Sequence, residues 1–231
     1  MFQLDKTGTE TVLHKFTGGA DGSSPQAGLI QDSAGNLYGT AGGGIVASAC
    51  PLGCGVVFKL DTIGTYTVLH SFTGGADGGY PEYAGLIQDS AGNLYGTTSV
   101  GGALGYGVVF KLDTTGTETV LYNFTGGADG GSPQSGVIQD SAGNLYGTAL
   151  YGGDLSCRLG ASFGCGVVFK LDTTGRETVL YSFTGGSDGA NPIASLIQDS
   201  AGNLYGTASA GGTFDGACVD YGCGVVFQLQ P

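Results

Sequence analysis

One ten-residue string, QDSAGNLYGT, occurs four times in this chain, beginning at Gln31, Gln88, Gln139 and Gln198. A second string, GVVF, also recurs, beginning at Gly55, Gly107, Gly166 and Gly224. The decapeptide copies start 51 to 59 residues apart. Such self-similarity means that one supersecondary unit is repeated, so the chain is a repeat array.

Each copy predicts four short strands. In the third copy they are 108–112, 119–124, 136–139 and 145–148, rich in β-branched and aromatic residues and separated by Asp/Gly turns. We expect an all-β fold, a β-propeller of four tandem blade-equivalents with four antiparallel strands each. A parallel β-solenoid is the alternative, although its repeats are usually shorter. We predict a single domain, 1–231, with repeats at about 1–55, 56–107, 108–166 and 167–224 and an extra terminal strand at 225–231.

The topology of such a blade predicts the strand order GLIQ, NLYG, VVFKL, TVLYSF from axis to rim. The DSAGN and LDTTG turns then share one face, and the TGGADG crossings and the variable loops share the other. Phe2–Asp5 and Val225–Leu229 are both strands of the VVFKL type, so they compete for one position in a closed ring. Unpaired edge strands associate readily, and we predict self-association through these two segments.

Charge and hydropathy exclude several functions. The formal charge of −12 disfavours nucleic acid and anionic lipid as partners. No apolar run is long enough to span a bilayer. A secretory signal is missing too, but Met1 directly precedes a repeat strand, so a mature chain is expected to begin there. Although Gly is 48 of 231 residues, 41% of the chain is hydrophobic, which argues against disorder.

The six cysteines form three close pairs, each just before a GVV strand: Cys50–Cys54, Cys157–Cys165 and Cys218–Cys223. The equivalent loop of the second copy is shorter and has none. We predict three disulfides that close surface loops, and hence an extracellular or cell-surface location. Zinc is the alternative, but two thiolates without a nearby His make an incomplete site.

The segments GVVFKLD, TGRETVLYSFTGG and GLIQDSAGNLYGTT resemble the GloVer (Gloeobacter/Verrucomicrobia) tandem repeat of bacterial surface and secreted proteins. The resemblance covers essentially the whole chain. It implies an exported bacterial repeat protein and brings no catalytic residue.

The loops at 41–54, 99–106, 150–165 and 209–223 vary in length and chemistry, which favours them as the place of specificity. Exposed aromatic rings beside carboxylates are typical of glycan sites. The candidate ligand-binding residues are Tyr106, Tyr151, Asp154, Phe163, Phe214, Asp215 and Tyr221.

Carboxylates recur in two other places. The crossings carry candidate metal ligands, with Ca²⁺ the one cofactor considered: Asp21, Asp77, Asp129 and Asp188. The simpler interpretation is that each bonds nearby backbone amides. The Asp residues of the DSAGN turns are interpreted as turn caps. His14 and His70 occupy a position that later copies give to Tyr122 and Tyr181, which argues against a histidine triad.

These patterns predict a non-enzymatic structural or adhesive surface module that assembles through its terminal strands. A lectin-like glycan-binding propeller is the second hypothesis. A polysaccharide hydrolase or lyase is the third, because no acid–base pair stands out from the repeat.

Overall fold

A computed structural model describes residues 1–158 and 163–231 of this chain. Its described part holds one short 3₁₀ turn, Gly216–Cys218, and otherwise β-strands. The strands are β1 (Phe2–Leu4), β2 (Glu10–Val12), β3 (Ile30–Gln31), β4 (Leu37–Ala41), β5 (Val56–Leu60), β6 (Tyr66–Ser71), β7 (Ile87–Gln88), β8 (Leu94–Thr98), β9 (Val108–Leu112), β10 (Glu118–Asn123), β11 (Ile138–Gln139), β12 (Leu145–Ala149), β13 (Val167–Leu171), β14 (Glu177–Ser182), β15 (Ile197–Gln198), β16 (Leu204–Ala208) and β17 (Val225–Leu229). No helix among these residues is long and apolar enough to cross a membrane.

The strands form the repeated antiparallel unit that the sequence predicts. Three four-stranded sheets have the orders β3-β4-β5-β6, β7-β8-β9-β10 and β11-β12-β13-β14. A three-stranded sheet, β15-β16-β17, and a two-stranded sheet, β1-β2, repeat parts of the same unit. The order confirms the predicted succession of strand types within a blade. Four-stranded antiparallel units in tandem make the fold a β-propeller, not a solenoid.

The DSAGN hairpins form because one aspartate organises each turn. Asp32 accepts hydrogen bonds from the amides of Ala34 and Asn36, from the Asn36 side chain and from the Tyr38 hydroxyl. Gly35 adopts φ +88°, a left-handed conformation that favours glycine. The hydrogen bond from the Asn36 side chain is the main reason why the pKa of Asp32 lies below its usual value. The same bonds recur in every copy, so the recurrence of this string has a structural cause.

Phenylalanine rings join neighbouring sheets. The Phe that follows the outermost strand of one sheet packs edge-on against the Phe of the VVF segment in the next copy. Phe72, after β6, packs in this way on Phe110 of β9, with ring centroids 5.2 Å apart. Both rings are fully buried. Such a pair contributes about 0.5–1.5 kcal/mol beyond the area it buries. The contact recurs at the other junctions: Phe16–Phe58, Phe124–Phe169 and Phe183–Phe227.

The two incomplete sheets remain separate. β1 pairs with β2 and β17 pairs with β16, so the two VVFKL-type segments do not compete for one position. Within the described ranges, no strand pairing joins the first sheet to the last. Phe2 is 61% exposed and Val226 is 82% exposed. Self-association through Phe2–Asp5 and Val225–Leu229 stays a prediction.

Candidate functional site

Hydrogen bonding divides the carboxylates into satisfied and unsatisfied groups. The turn aspartates are satisfied, as described for Asp32. Those of the crossings are satisfied as well: Asp77 accepts bonds from the amide and the hydroxyl of Thr73. In the described part of the chain, three carboxyl groups instead keep one buried oxygen without a partner: Glu82, Glu118 and Glu177. An unpaired buried acceptor costs about 1–3 kcal/mol, so these three groups need another explanation.

The first junction between sheets shows what surrounds such a position. His14, after β2, stacks on Tyr66 of β6, with ring centroids 3.9 Å apart. The Tyr66 hydroxyl donates to the Asp21 carbonyl oxygen at 2.6 Å, and His14 Nε2 lies 3.3 Å from Asp21 Oδ2. The Thr17 hydroxyl, above all, lowers the pKa of Asp21. The imidazole of His14 and the carboxylate of Asp21, both in the first copy, therefore lie beside Tyr66, the first residue of β6 in the second copy.

Glutamate replaces tyrosine at the second junction. Glu118 pairs with Leu112 as Tyr66 pairs with Leu60, so the two residues are equivalent. Burial, supported by the nearby charge of Asp77, raises the pKa of Glu118 from 4.5 to about 7. His70 Nε2 lies 3.6 Å from Asp77 Oδ2, and burial lowers the pKa of His70. One half-buried site thus holds a carboxyl group that titrates near neutrality, a carboxylate and a neutral imidazole.

The third junction repeats the glutamate–aspartate pair, as Glu177 and Asp129, without the imidazole. The Tyr122 hydroxyl donates to Asp129 at 2.9 Å. Burial and the charge of Asp129 raise the pKa of Glu177 to about 7. The pKa of Tyr122 rises chiefly through burial, and Asp129 and Glu177 both contribute. Tyr122 therefore stays a phenol, and among the described junctions only the second one adds an imidazole to a glutamate–aspartate pair.

The predicted ligand-binding residues come from three of the four variable loops. Tyr106, Phe163, Phe214 and Tyr221 are exposed and belong to three different loops. Asp154 accepts bonds from the amide and hydroxyl of Ser156 in its own loop. The other two are Tyr151, whose backbone pairs with Gly131, and Asp215, which precedes the 3₁₀ turn. Their role in ligand binding stays a prediction.

Two features of the variable loops, the disulfides and the ring of Tyr106, pack against the rest of the fold. The three predicted disulfides are present: Cys50–Cys54, Cys157–Cys165 and Cys218–Cys223, with Cα atoms 5.0, 5.7 and 5.2 Å apart. The Sγ atoms of the first pair cover Gly74 of the next crossing, and in the cysteine-free loop the Tyr106 ring covers Gly126 instead. Tyr106 therefore replaces a disulfide as the packing element of its loop.

The predicted metal ligands lie in separate crossings. Asp21, Asp77, Asp129 and Asp188 each bond the amide and hydroxyl of the threonine four residues earlier. Across residues 1–158 and 163–231, no group of three or more His, Cys, Asp or Glu side chains could hold a metal ion. Metal binding by these four aspartates stays a prediction.

The turn face also carries clefts between sheets. One of about 730 Å³ is lined by Tyr38, Lys59, Gln88 and the turns beginning at Asp89 and Asp113. Lys59 lies over the Tyr38 ring, 5.7 Å from its centroid. The carboxylates around it already cap their turns, so this cleft offers fewer free chemical groups than the second junction does.

Sequence reasoning missed Glu118 and Glu177. Each is the first residue of its strand, β10 or β14. A glutamate at this place usually indicates an exposed position, and the equivalent Glu10 of β2 is indeed exposed. What distinguishes these two glutamates is that each lies against the crossing of the preceding copy. Only the packing of two sheets shows this contact. The position of Tyr66, an apolar ring in the same register, indicated that it is half buried.

A carboxyl group that titrates near neutrality can take a proton from water and return it within one reaction cycle. Catalytic acids and bases are tuned in this way by burial and by neighbouring charges. The second junction has such a group in Glu118, with Asp77 and His70 beside it. These are the kinds of group that general acid–base catalysis uses.

Comparisons with known proteins agree on the fold. The profile of the Gloeobacter/Verrucomicrobia repeat matches residues 1–219. Among proteins of curated function, none matches this sequence. A luciferin-regenerating enzyme is similar in structure, with a TM-score of 0.54 and 15% identity over 88% of this chain and 60% of that one. The gluconolactonase XC5397 from Xanthomonas campestris has a TM-score of 0.54 and 14% identity over 100% of this chain and 65% of that one.

The tricorn protease is also similar, with a TM-score of 0.50 and 11% identity over 96% of this chain and 19% of that one. At these identities the likeness shows the fold. This chain spans 60 and 65% of the length of the first two structures. The sequence-based expectation of a non-enzymatic structural or adhesive module that assembles through its terminal strands is corrected by this comparison, because the similar structures are enzymes. The sequence ranked an enzyme last because no acid–base pair stands out within one repeat, whereas the structure places Glu118 beside Asp77 of the preceding copy.

Proposed function

Since this chain belongs to the Gloeobacter/Verrucomicrobia repeat family, whose copies here build a propeller like those of known enzymes, we propose that it is a hydrolase. Its acid–base group is Glu118, at the junction of β6 and β10. The observation that carries the proposal is the burial of this carboxyl group, with one oxygen unpaired, beside Asp77 of the preceding copy.

We infer the substrate class from the chemistry of the site. A base with a pKa of about 7 is matched to the activation of water at neutral pH, which suits esters and lactones. The side chains of His70 and Asp77 are 19% and 17% exposed, so one side of the site borders solvent. We propose a small polyhydroxylated ester or lactone, the class to which the substrate named for the gluconolactonase belongs.

Each residue has a distinct part in the proposed reaction. Ionised Glu118 takes a proton from the attacking water as the carbonyl carbon is attacked, then returns the proton to the leaving alkoxide. The charge of Asp77 helps to keep the pKa of Glu118 high enough for the second step. Neutral His70, whose buried Nε2 lies 3.6 Å from Asp77 Oδ2, adds no positive charge that would lower the pKa of Glu118. General acid–base catalysis of this kind contributes about 10²–10⁴-fold to a rate.

The proposed place of action is outside the cytoplasm. Three disulfides support it, because reducing compartments do not maintain such bonds. The disulfides close loops on the crossings, next to the segments that carry Asp77 and Asp129.

The test is turnover of δ-gluconolactone and of a chromogenic acetate ester by the full chain and by Glu118→Gln. We expect the substitution to lower the hydrolysis rate about 100-fold or more. Glu10→Gln is the matched control, because Glu10 has the same place in the first copy's fourth strand and is exposed there. Equal rates for the chain and for E118Q, or no turnover above buffer, would contradict the proposal.

A further inference from the structure

The cleft of about 730 Å³ on the turn face lies between the sheets β3-β4-β5-β6 and β7-β8-β9-β10. Its volume falls in the range of small-molecule sites, about 300–1,000 Å³. The first of these sheets contributes Val68 and Leu69 of β6, which are half-buried, and the second contributes the turns beginning at Asp89 and Asp113. The cleft therefore combines apolar side chains with a small number of polar ones, as ligand sites commonly do.

Lys59 brings a cation without a counter-charge to this cleft. Its ammonium group lies over the ring of Tyr38, 5.7 Å from the centroid, and that ring is buried. Lysine commonly packs its stem on apolar surface in this way and keeps its charged end in water. Within residues 1–158 and 163–231, the ammonium group of Lys59 forms no ion pair. Its three N–H groups are therefore available to a ligand.

Two hydrogen-bond acceptors of the cleft are also available. Asp113 caps its turn with Oδ1, which accepts bonds from the amide and hydroxyl of Thr115 and from the amide of Thr117. Gln88 donates through Nε2 to the Gly92 carbonyl oxygen at 3.2 Å. In the part of the chain that the structure describes, Asp113 Oδ2 and Gln88 Oε1 accept no hydrogen bond.

We propose that this cleft binds a neutral oligosaccharide. Lys59 donates hydrogen bonds to sugar oxygens, and Asp113 Oδ2 and Gln88 Oε1 accept them from sugar hydroxyls. A hydroxyl group is both a donor and an acceptor, so a polyhydroxylated ligand satisfies the cation and the carboxylate together. The C–H groups of the sugar ring pack on Val68 and Leu69.

The charges around the cleft favour a neutral ligand over a charged one. The carboxylates of Asp89 and Asp113 and the formal charge of −12 repel an acidic polysaccharide. The ammonium group of Lys59 repels a basic one. None of the residues that line this cleft takes part in the proposed hydrolysis, so ligand binding and turnover are tested separately.

A similar cleft of about 870 Å³ lies between the last two sheets, where Lys170 and Gln198 repeat Lys59 and Gln88. Gln230 lines it at the position that Asp113 has in the first cleft, because both residues follow the leucine that ends a VVF strand. The carboxylate acceptor is thus present in the first cleft and replaced in the second. We therefore assign the oligosaccharide site to the first cleft.

The experiment is calorimetric titration of the full chain with cellohexaose, maltohexaose and xylohexaose, and with hexagalacturonate as the acidic comparison. Lys59→Gln is the test variant, and we expect it to fold because Gln3 and Gln228 have this position in β1 and β17. Lys6→Gln removes the same charge from an exposed turn and is the control.

We expect saturable binding of at least one neutral hexasaccharide by the chain and by K6Q. Binding by K59Q should be at least ~10-fold weaker, because a hydrogen bond from a charged donor is lost. The proposal is overturned if no neutral hexasaccharide binds, if hexagalacturonate binds more tightly, or if K59Q keeps the affinity of the chain.

A second variant tests the place of the ligand without a change of charge. Thr67 is exposed, lines the cleft and pairs directly with Lys59 across β5 and β6. Directly paired residues lie on the same face of a sheet, so Thr67→Trp fills the cleft with an indole ring. We expect T67W to keep the melting temperature of the chain and to lose oligosaccharide binding. Unchanged affinity in T67W would show that the ligand binds elsewhere.

Discussion

The ring of His14 stacks on the ring of Tyr66 across the first junction between sheets, with centroids 3.9 Å apart. At the next junction, His70 keeps the place of His14, and Glu118 takes the place of Tyr66. The exchange replaces a stacked ring and a hydroxyl donor with a carboxyl group that keeps an unpaired buried oxygen. The second junction therefore lacks the ring stacking and the hydroxyl bond that stabilise the first. Positions that are locally destabilised in this way are often functional sites.

The stability of the chain depends on pH through Glu118. Its pKa is raised from 4.5 to about 7, so the folded state binds a proton more tightly than the unfolded state. The contribution is therefore fully present below about pH 4.5 and lost as pH rises toward 7. We expect Glu118→Gln to raise the urea midpoint at pH 8 and to leave it nearly unchanged at pH 4.

Glu10→Gln is the control for this effect, because Glu10 has no preceding sheet and is exposed. We expect the same urea midpoint for E10Q and for the unmodified chain at both pH values. A midpoint for E118Q that matches E10Q at pH 8 would show that Glu118 ionises freely in the folded state.

The tyrosines of the NLYG strands stabilise the DSAGN hairpins through their hydroxyl groups. Tyr146 is 4% exposed and donates to Asp140 at 3.0 Å. Tyr205 makes the same bond to Asp199 at 3.0 Å in an exposed setting. We expect Tyr146→Phe to cost about 1–2 kcal/mol of unfolding free energy and Tyr205→Phe only a few tenths. Chemical denaturation of both variants measures the difference, and equal costs would mean that burial does not strengthen this bond.

The glycine of each NLYG strand gives room for a phenylalanine. A Cβ atom on Gly96 would lie 2.8 Å from Phe110 Cζ and 3.0 Å from Leu86 Cδ2. Gly85, in the same copy, would place its Cβ in open space. We expect Gly96→Ala to lower the unfolding free energy by about 1–3 kcal/mol and Gly85→Ala to have little effect. Thermal melts of the two variants decide, and a harmless G96A would contradict the packing described here.

The disulfides make a prediction about the isolated protein. Loops of this length contribute roughly 2–3 kcal/mol each on the chain-entropy model. We expect intact mass to be unchanged by iodoacetamide without reductant, and to rise by six carbamidomethyl groups after reduction, since the chain has 6 cysteines. Alkylation without reductant would argue against the oxidised loops and against a location outside the cytoplasm.

Much of the fold follows from the sequence, because its causes are local. β-branched strands, Asp caps and left-handed glycines act within a few residues, so the strand order, the hairpins and the cysteine pairs were predictable. Glu118 was not, because its environment comes from Asp77 and His70 of another sheet. Properties that depend on how sheets pack require the structure.

The most direct test of the proposed hydrolase is the pH–rate profile of δ-gluconolactone hydrolysis, corrected for the buffer reaction, for the chain and for Glu118→Gln. A base with the pKa of Glu118 predicts a rate that rises with pH and levels off above about pH 7. The profile of E118Q should lack this rise and stay at the level of the buffer reaction. An identical rise in both proteins would contradict the assignment of Glu118 as the acid–base group.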